Sequence, residues 1–328
     1  MNDKIISDYS GKRIVVTGAS GFLGSNLVQE LRNVDCEIIR ITRSTTSLTS
    51  TQGKPQIVDL TGDIREPEIW KDVIDRGVDI IFHLAAQTSV AVANDDAVAD
   101  HRANVLPMIR LAEACRRRKC RPMVVFAGTV TQAGLPTRLP VSEEHPDKPV
   151  TIYDLHKLIA ERYLKFYSSQ EIVFGAVLRL ANVYGPGPTS SSSDRGVLSM
   201  MIRKALKGEP LTVYGKGDWL RDYVYVADVI RAFLLAGVSI DKTNGHHFVI
   251  GSGQGQTIRE AFNLVADEVA RKTGRRVEVI LKPQPVQSVI ETRNFVADSA
   301  KFSQATGWQP ECSLAEGIGR TVQAFNAG

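Results

Sequence analysis

Short runs of β-branched and aliphatic residues punctuate the first half of the chain, and apolar positions recur at helical spacing between several of them. The runs are RIVVT at 13–17, EIIRIT at 37–42, and further ones at 56–60, 80–84 (IIFHL) and 123–127 (MVVFA). They are close to continuously apolar instead of alternating, which is the pattern of strands buried on both faces. A helix over 23–31 follows the first run, and one near 153–168 precedes a sixth strand at 173–180. Strands that alternate with helices in this way predict an α/β fold with a doubly wound parallel sheet of Rossmann type.

Beyond Asn182 the rhythm changes. Gly185 to Gly187 with two prolines, then a serine run at 190–193, read as a loop; a helix resumes at 197–206 and strands at 211–214 and 223–226. We therefore expect a dinucleotide-binding domain over 1–182, rejoined by about 224–250. Residues 183–223 and 251–328 are expected to build a smaller C-terminal α/β lobe that binds substrate.

The composition narrows the class. Basic and acidic residues nearly cancel, 40 against 36, so no concentrated basic face points to nucleic acid. No apolar stretch approaches the ~20 residues of a membrane span, and residues 1–11 lack the apolar centre of a signal peptide. The four cysteines form no CxxC pair, so neither a disulfide framework nor a metal site is expected, and a cytoplasmic setting fits. The run Arg116, Arg117, Arg118, Lys119 and Arg121 is read as a solvated helix C-terminus, where cations complement the dipole.

Three places carry chemistry. The first is the turn after the first strand, Thr17-Gly18-Ala19-Ser20-Gly21-Phe22-Leu23-Gly24. Glycines there allow a sharp turn, close approach to a pyrophosphate and tight helix-strand packing, with helix N–H groups left for the anion. The second is the end of the second strand, Ile41-Thr42-Arg43-Ser44, where an NAD site usually offers a carboxylate to the ribose. Arg43 stands there instead, so NADP(H) is favoured and NAD(H) is the alternative. The third is Tyr153-Asp154-Leu155-His156-Lys157, which sets a phenol and an ammonium on one helix face. A phenol with its reference pKa of about 10 is a poor base at neutral pH, but a nearby cation favours the phenolate. Thr129, just after the fifth strand, is the candidate to orient the reacting oxygen, with Thr131 as its competitor.

These motifs together resemble the extended short-chain dehydrogenase/reductases, the NAD-dependent epimerase/dehydratase group, over nearly the whole chain. The matching pieces are TGASGFLG, Gly62-Asp63-Ile64-Arg65, His83-Leu84-Ala85-Ala86-Gln87, Thr129, YxxxK, the run Arg179 to Pro186, Arg221 to Val226 with Asp228, and Thr306 to Pro310. The resemblance implies Thr129, Tyr153 and Lys157 as catalytic residues, with Tyr153 and Lys157 also touching the cofactor. It places Asp63 and Ile64 beside the adenine, Leu84, Ala85 and Ala86 along the cofactor cleft, and Asn182 and Arg221 on a substrate diphosphate. It also implies a homodimer bundle built from helices over 106–115 and 153–167.

Departures from the family pattern narrow the reaction. Val130 and Thr131 follow Thr129 where the 4,6-dehydratases carry an acidic pair, and no cysteine stands where the 3,5-epimerase-reductases have one. Two reactions on a nucleotide-diphosphate sugar survive. The favoured one is NADPH-dependent reduction of the C4 ketone of a 4-keto-6-deoxyhexose, with Tyr153 as proton donor. The alternative is a 4-epimerase of the UDP-glucose type with tightly bound NAD, and a non-catalytic nucleotide-binding subunit ranks third. Sugar and base selectivity are assigned to the lobe, around residues 190–199 and 284–293.

Overall fold

A computed structural model describes residues 3–44, 53–188, 196–283, 290 and 292–327. Twelve strands are present among them: β1 Arg13–Thr17, β2 Glu37–Thr42, β3 Gln56–Thr61, β4 Ile80–His83, β5 Met123–Thr129 and β6 Phe174–Leu180. They continue with β7 Asn182–Tyr184, β8 Leu211–Tyr214, β9 Leu220–Tyr225, β10 His246–Ile250, β11 Gly255–Thr257 and β12 Val279–Lys282. Seven form one sheet in the order β10-β6-β5-β4-β1-β2-β3, parallel throughout. The strand order reverses between β1 and β4, and that switch point opens a crevice at the strands' C-terminal ends.

The near-continuous apolar runs are explained by the two cores they feed. Ile14, Val16, Ile38, Phe82 and Val125 point into one. Val15, Ile39, Ile81, Val124 and Phe126 point into the other. Successive side chains of a strand leave on opposite faces, so a sheet covered on both sides needs apolar residues at every position.

Outside this sheet, β7 and β9 pair in parallel with β11 antiparallel at the edge, and β8 pairs with β12. Helices Val197–Leu206, Ile258–Thr273 and Leu314–Ala327 accompany these small sheets. The Ile258–Thr273 helix starts with a reciprocal Thr257–Glu260 capping box and stops at Gly274 in the left-handed conformation.

Several elements escaped the sequence pattern, and two of them show why. Residues Asp3–Ser7 form a helix, and Tyr9 behind it is fully buried with its hydroxyl on the Leu234 carbonyl at 2.6 Å. The polar look of residues 1–11 concealed this anchor because two apolar residues, Ile5 and Tyr9, do the docking. Strand β7 was hidden within a loop-like stretch because three residues carry no readable period.

The basic run behaves as a helix terminus. Arg116, Arg118 and Arg121 pair with Glu113, Asp75 and Glu171, and Lys119 closes the helix in the left-handed region. No helix among the described residues is long and apolar enough to cross a membrane.

Candidate active site

The glycine turn bends at Gly18, whose φ is +67°. A Cβ on Gly18 would lie 2.9 Å from the Cα of Ala85, and one on Gly24 would lie 2.2 Å from the Gly18 carbonyl oxygen. Both positions are therefore closed to side chains: Gly18 lets the β4 loop approach, and Gly24 lets the helix Phe22–Glu30 seat against the turn. No side chain caps that helix at Gly21, which leaves its first N–H groups available to an anion. Phe22 and Leu23 pack on the core below. Such a cradle, built of backbone and filled by any Cβ, fits a dinucleotide pyrophosphate.

Next to it, one hydroxyl organises the β4 loop. Thr17 Oγ1 accepts the N–H groups of Leu84 and Ala85, each at 3.0 Å. Both lone pairs are used, so its proton points to His83 Nδ1 at 3.1 Å, and the imidazole proton sits on Nε2. Burial, with the Lys157 charge adding to it, holds the His83 pKa down to about 3, so the ring is neutral at physiological pH. This histidine was read only as a letter in a motif. Its structural work is to fix Leu84 and Ala85 along the crevice, with half-buried Ala86 following.

At the end of β2, Arg43 is exposed and no carboxylate follows Thr42, as expected. An acid follows β3 two residues beyond its end. The Asp63 carboxyl is lowered by its hydrogen bonds from Arg65, at 2.9 and 3.0 Å, and the Arg43 charge adds to the shift. The Asp63 carboxylate is thus held by Arg65, and the Arg43 charge acts on it only from a distance. Ile64 gives its carbonyl to the Trp70 indole at 2.8 Å, which pins this corner to the core.

The helix Ile152–Ser169 carries Tyr153 and Lys157, both buried. Thr151 caps it through the Asp154 N–H at 3.1 Å. The Lys157 ammonium lies 4.0 Å from the centre of the Phe126 ring, and that ring stacks on His83. Lys157, Phe126 of β5 and His83 therefore form one buried cluster. Thr129 is the last residue of β5, not the first beyond it. Its hydroxyl lies 2.9 Å from that of Thr131, and Thr131 in turn donates to the Asp154 carboxylate. The other Asp154 oxygen meets the Arg293 guanidinium at 3.4 Å. Thr129 and Thr131 were weighed as competitors; they are consecutive members of one chain.

Of the two residues assigned to a diphosphate, Arg221 on β9 donates to the carbonyls of Leu220, at 3.0 Å, and Arg293. Asn182 donates to the Asp222 carbonyl at 3.2 Å. Its neighbour Asp222 is structural: buried, it collects the N–H groups of Ser252, Gly253 and Ala297 at 2.7, 3.0 and 2.9 Å. Of the segments assigned to selectivity, residues 190–195, 284–289 and 291 lie outside the described residues.

Missed in the sequence were Asp154 and Arg293. Asp154 stood inside the Tyr-Lys motif as a carboxylate beside the phenol, which was a usable signal. Arg293 had none, since its partner is 139 residues away.

A parallel sheet reversing at β1 and β4, with a glycine turn at that point, defines an NAD(P)-binding Rossmann fold. The chain belongs to the NAD dependent epimerase/dehydratase family, whose sequence model matches residues 14–251. It is 31% identical over 317 residues to the UDP-glucose 4-epimerase of Mycolicibacterium smegmatis, covering 95% of this chain and 98% of that one. The UDP-glucose 4-epimerase of Thermotoga maritima, solved with UDP-glucose, superposes with a TM-score of 0.85 at 30% identity, covering 96% and 99% of the two chains. The Thermus thermophilus UDP-glucose 4-epimerase, solved with NAD, gives 0.80 at 30% identity with the same coverage. These relatives favour the epimerase, which the sequence reading had ranked second, over the ketoreductase.

Proposed function

We propose that this protein is a nucleotide-diphosphate-hexose 4-epimerase acting on a UDP-hexose, and that it keeps NAD(H) through its cycle. The observation that carries this reading is likeness to UDP-glucose 4-epimerases over nearly the full chain, on both sides of the crevice. Bound nicotinamide supplies reversible hydride acceptance at C4 of the sugar. Tyr153 takes the C4 hydroxyl proton on oxidation and returns it after the sugar has turned its other face. Lys157 holds the nicotinamide ribose and favours the phenolate through its charge. Arg221 and Asn182 keep the diphosphate in place while the sugar ring turns; a guanidinium suits phosphate oxygens because it donates in a fork. Neither Val130 nor Thr131 offers the acid needed to expel water, so the intermediate ketone is reduced and not dehydrated.

A second reading, the NADPH-dependent 4-ketoreductase, keeps the support of Arg43 and of the missing acid after β2. Against it stands the full-length likeness to 4-epimerases, one of them solved with NAD. The two readings separate in a pair of assays. Purified protein given UDP-glucose and no cofactor should form UDP-galactose catalytically. No UDP-galactose, with NADPH instead consumed mole for mole on a nucleotide-diphosphate 4-keto-6-deoxyhexose, would move the assignment to the reductase.

The homodimer is assigned to the same helix that carries Tyr153. Leu155, Tyr163 and Phe166 are exposed along it, Phe166 by 57%, an apolar edge that a second copy would cover.

A further inference from the structure

We infer that Asp154 is a positioning residue that fixes the direction of hydrogen bonding at Thr129, so that Thr129 meets the sugar only as an acceptor. This rests on the reading that the C4 oxygen reacts beside Thr129 and Tyr153.

The argument counts protons. A carboxylate has none to give, so the contact between Asp154 and Thr131 uses the single Thr131 hydroxyl proton. Thr131 Oγ1 must then accept in its 2.9 Å contact with Thr129 Oγ1, and the single Thr129 proton is committed there. One Thr129 lone pair takes the Thr131 N–H at 3.3 Å. What remains toward the crevice is the second lone pair. A sugar hydroxyl can donate to it; a ketone oxygen, which needs a donor, cannot use it. The chain Asp154–Thr131–Thr129 therefore favours the alcohol over the ketone at this contact and leaves Tyr153 as the proton donor for the ketone.

The polarity is locked from both sides. Asp154 is 1% exposed and Arg293 5%, and the guanidinium occupies the carboxylate oxygen that Thr131 does not use. Arg293 comes from the segment beside β9, where its own carbonyl receives Arg221. The arginine assigned to the diphosphate and the carboxylate that orients Thr129 are thus joined through one residue.

The test is a binding comparison on cofactor-loaded protein between UDP-glucose and UDP-4-deoxy-4-fluoroglucose, whose fluorine accepts but cannot donate. Wild type should bind the fluoro sugar about tenfold more weakly, roughly the worth of one lost hydrogen bond with two lone pairs opposed. Thr131→Val and Asp154→Asn free the Thr129 proton, so their discrimination should fall to about twofold, while Thr131→Ser keeps the wild-type ratio. The turnover number of the first two variants should drop at least tenfold with the KM for UDP-glucose held. Unchanged discrimination in Thr131→Val, or a fluoro sugar that wild type binds as well as UDP-glucose, would overturn the inference alone. Wild type that binds neither sugar, or full turnover in Tyr153→Phe, would overturn the underlying reading and the inference with it.

Discussion

The two sides of the crevice are built by different means. On the β1–β4 side the binding surface is backbone: a turn closed to side chains at Gly18 and Gly24, a helix start without a cap, and a loop pinned by Thr17. On the side of the Ile152–Ser169 helix it is a chain of side chains, Thr129, Thr131, Asp154 and Arg293, drawn from three separate parts of the sequence. Backbone surfaces suit a pyrophosphate common to any dinucleotide and are tied to a local motif. Side-chain networks set which oxygen is held and how, and they are closed only by folding.

That contrast can be broken from either side. The largest effect is expected from Tyr153→Phe: turnover should fall by about 10²–10⁴, the usual worth of a general acid-base, with cofactor content unchanged. Loss of cofactor in that variant would show that the two sides are not separable.

The foundation of the side-chain half is expected to respond next. Glu161, on the helix of Tyr153, is fully buried; burial raises its pKa, but Arg179, Lys165 and His247 outweigh this and hold it at about 2. Because its folded value lies below the ordinary 4.5, its stabilisation is fully present above about pH 4.5 and is lost as the pH falls toward 2. Glu161→Gln should cost about 3 kcal/mol at pH 7, as expected for breaking a buried pair, and flatten the acid limb of a denaturation curve. An acid limb like that of wild type would remove Glu161 from the account.

A smaller effect, confined to the backbone half, is predicted for Gly24→Ala. Its Cβ would overlap the Gly18 carbonyl, and forcing such a contact costs about 1–3 kcal/mol. Retained cofactor measured after denaturation should drop about tenfold while folding survives. Smallest of all is Arg43→Ala, at an exposed position. NAD affinity should change less than about twofold; a large loss of NADPH binding in that variant would instead revive the reductase.

The same contrast explains what could be read from the sequence. The parallel sheet followed from apolar runs at 13–17, 37–42 and 123–127, since burial on two faces leaves a one-dimensional trace. The glycine turn was legible because φ near +67° and close approach both demand glycine. Thr129 and Thr131 could not be ranked, because the carboxylate that links them acts through a contact 23 residues away. Arg293 was invisible for the same reason over a longer span. His83 was seen, yet its tautomer depends on the two N–H groups that occupy Thr17, which only coordinates reveal.

The most direct test of the central claim is the fate of the C4 hydrogen. UDP-[4-²H]glucose is incubated with the purified protein, no cofactor is added, and the product is read by mass spectrometry and NMR. A 4-epimerase that keeps NAD(H) must return the same deuterium to C4, so UDP-galactose should carry it there in full. Deuterium lost to solvent, or no UDP-galactose formed without added NAD, would contradict the account.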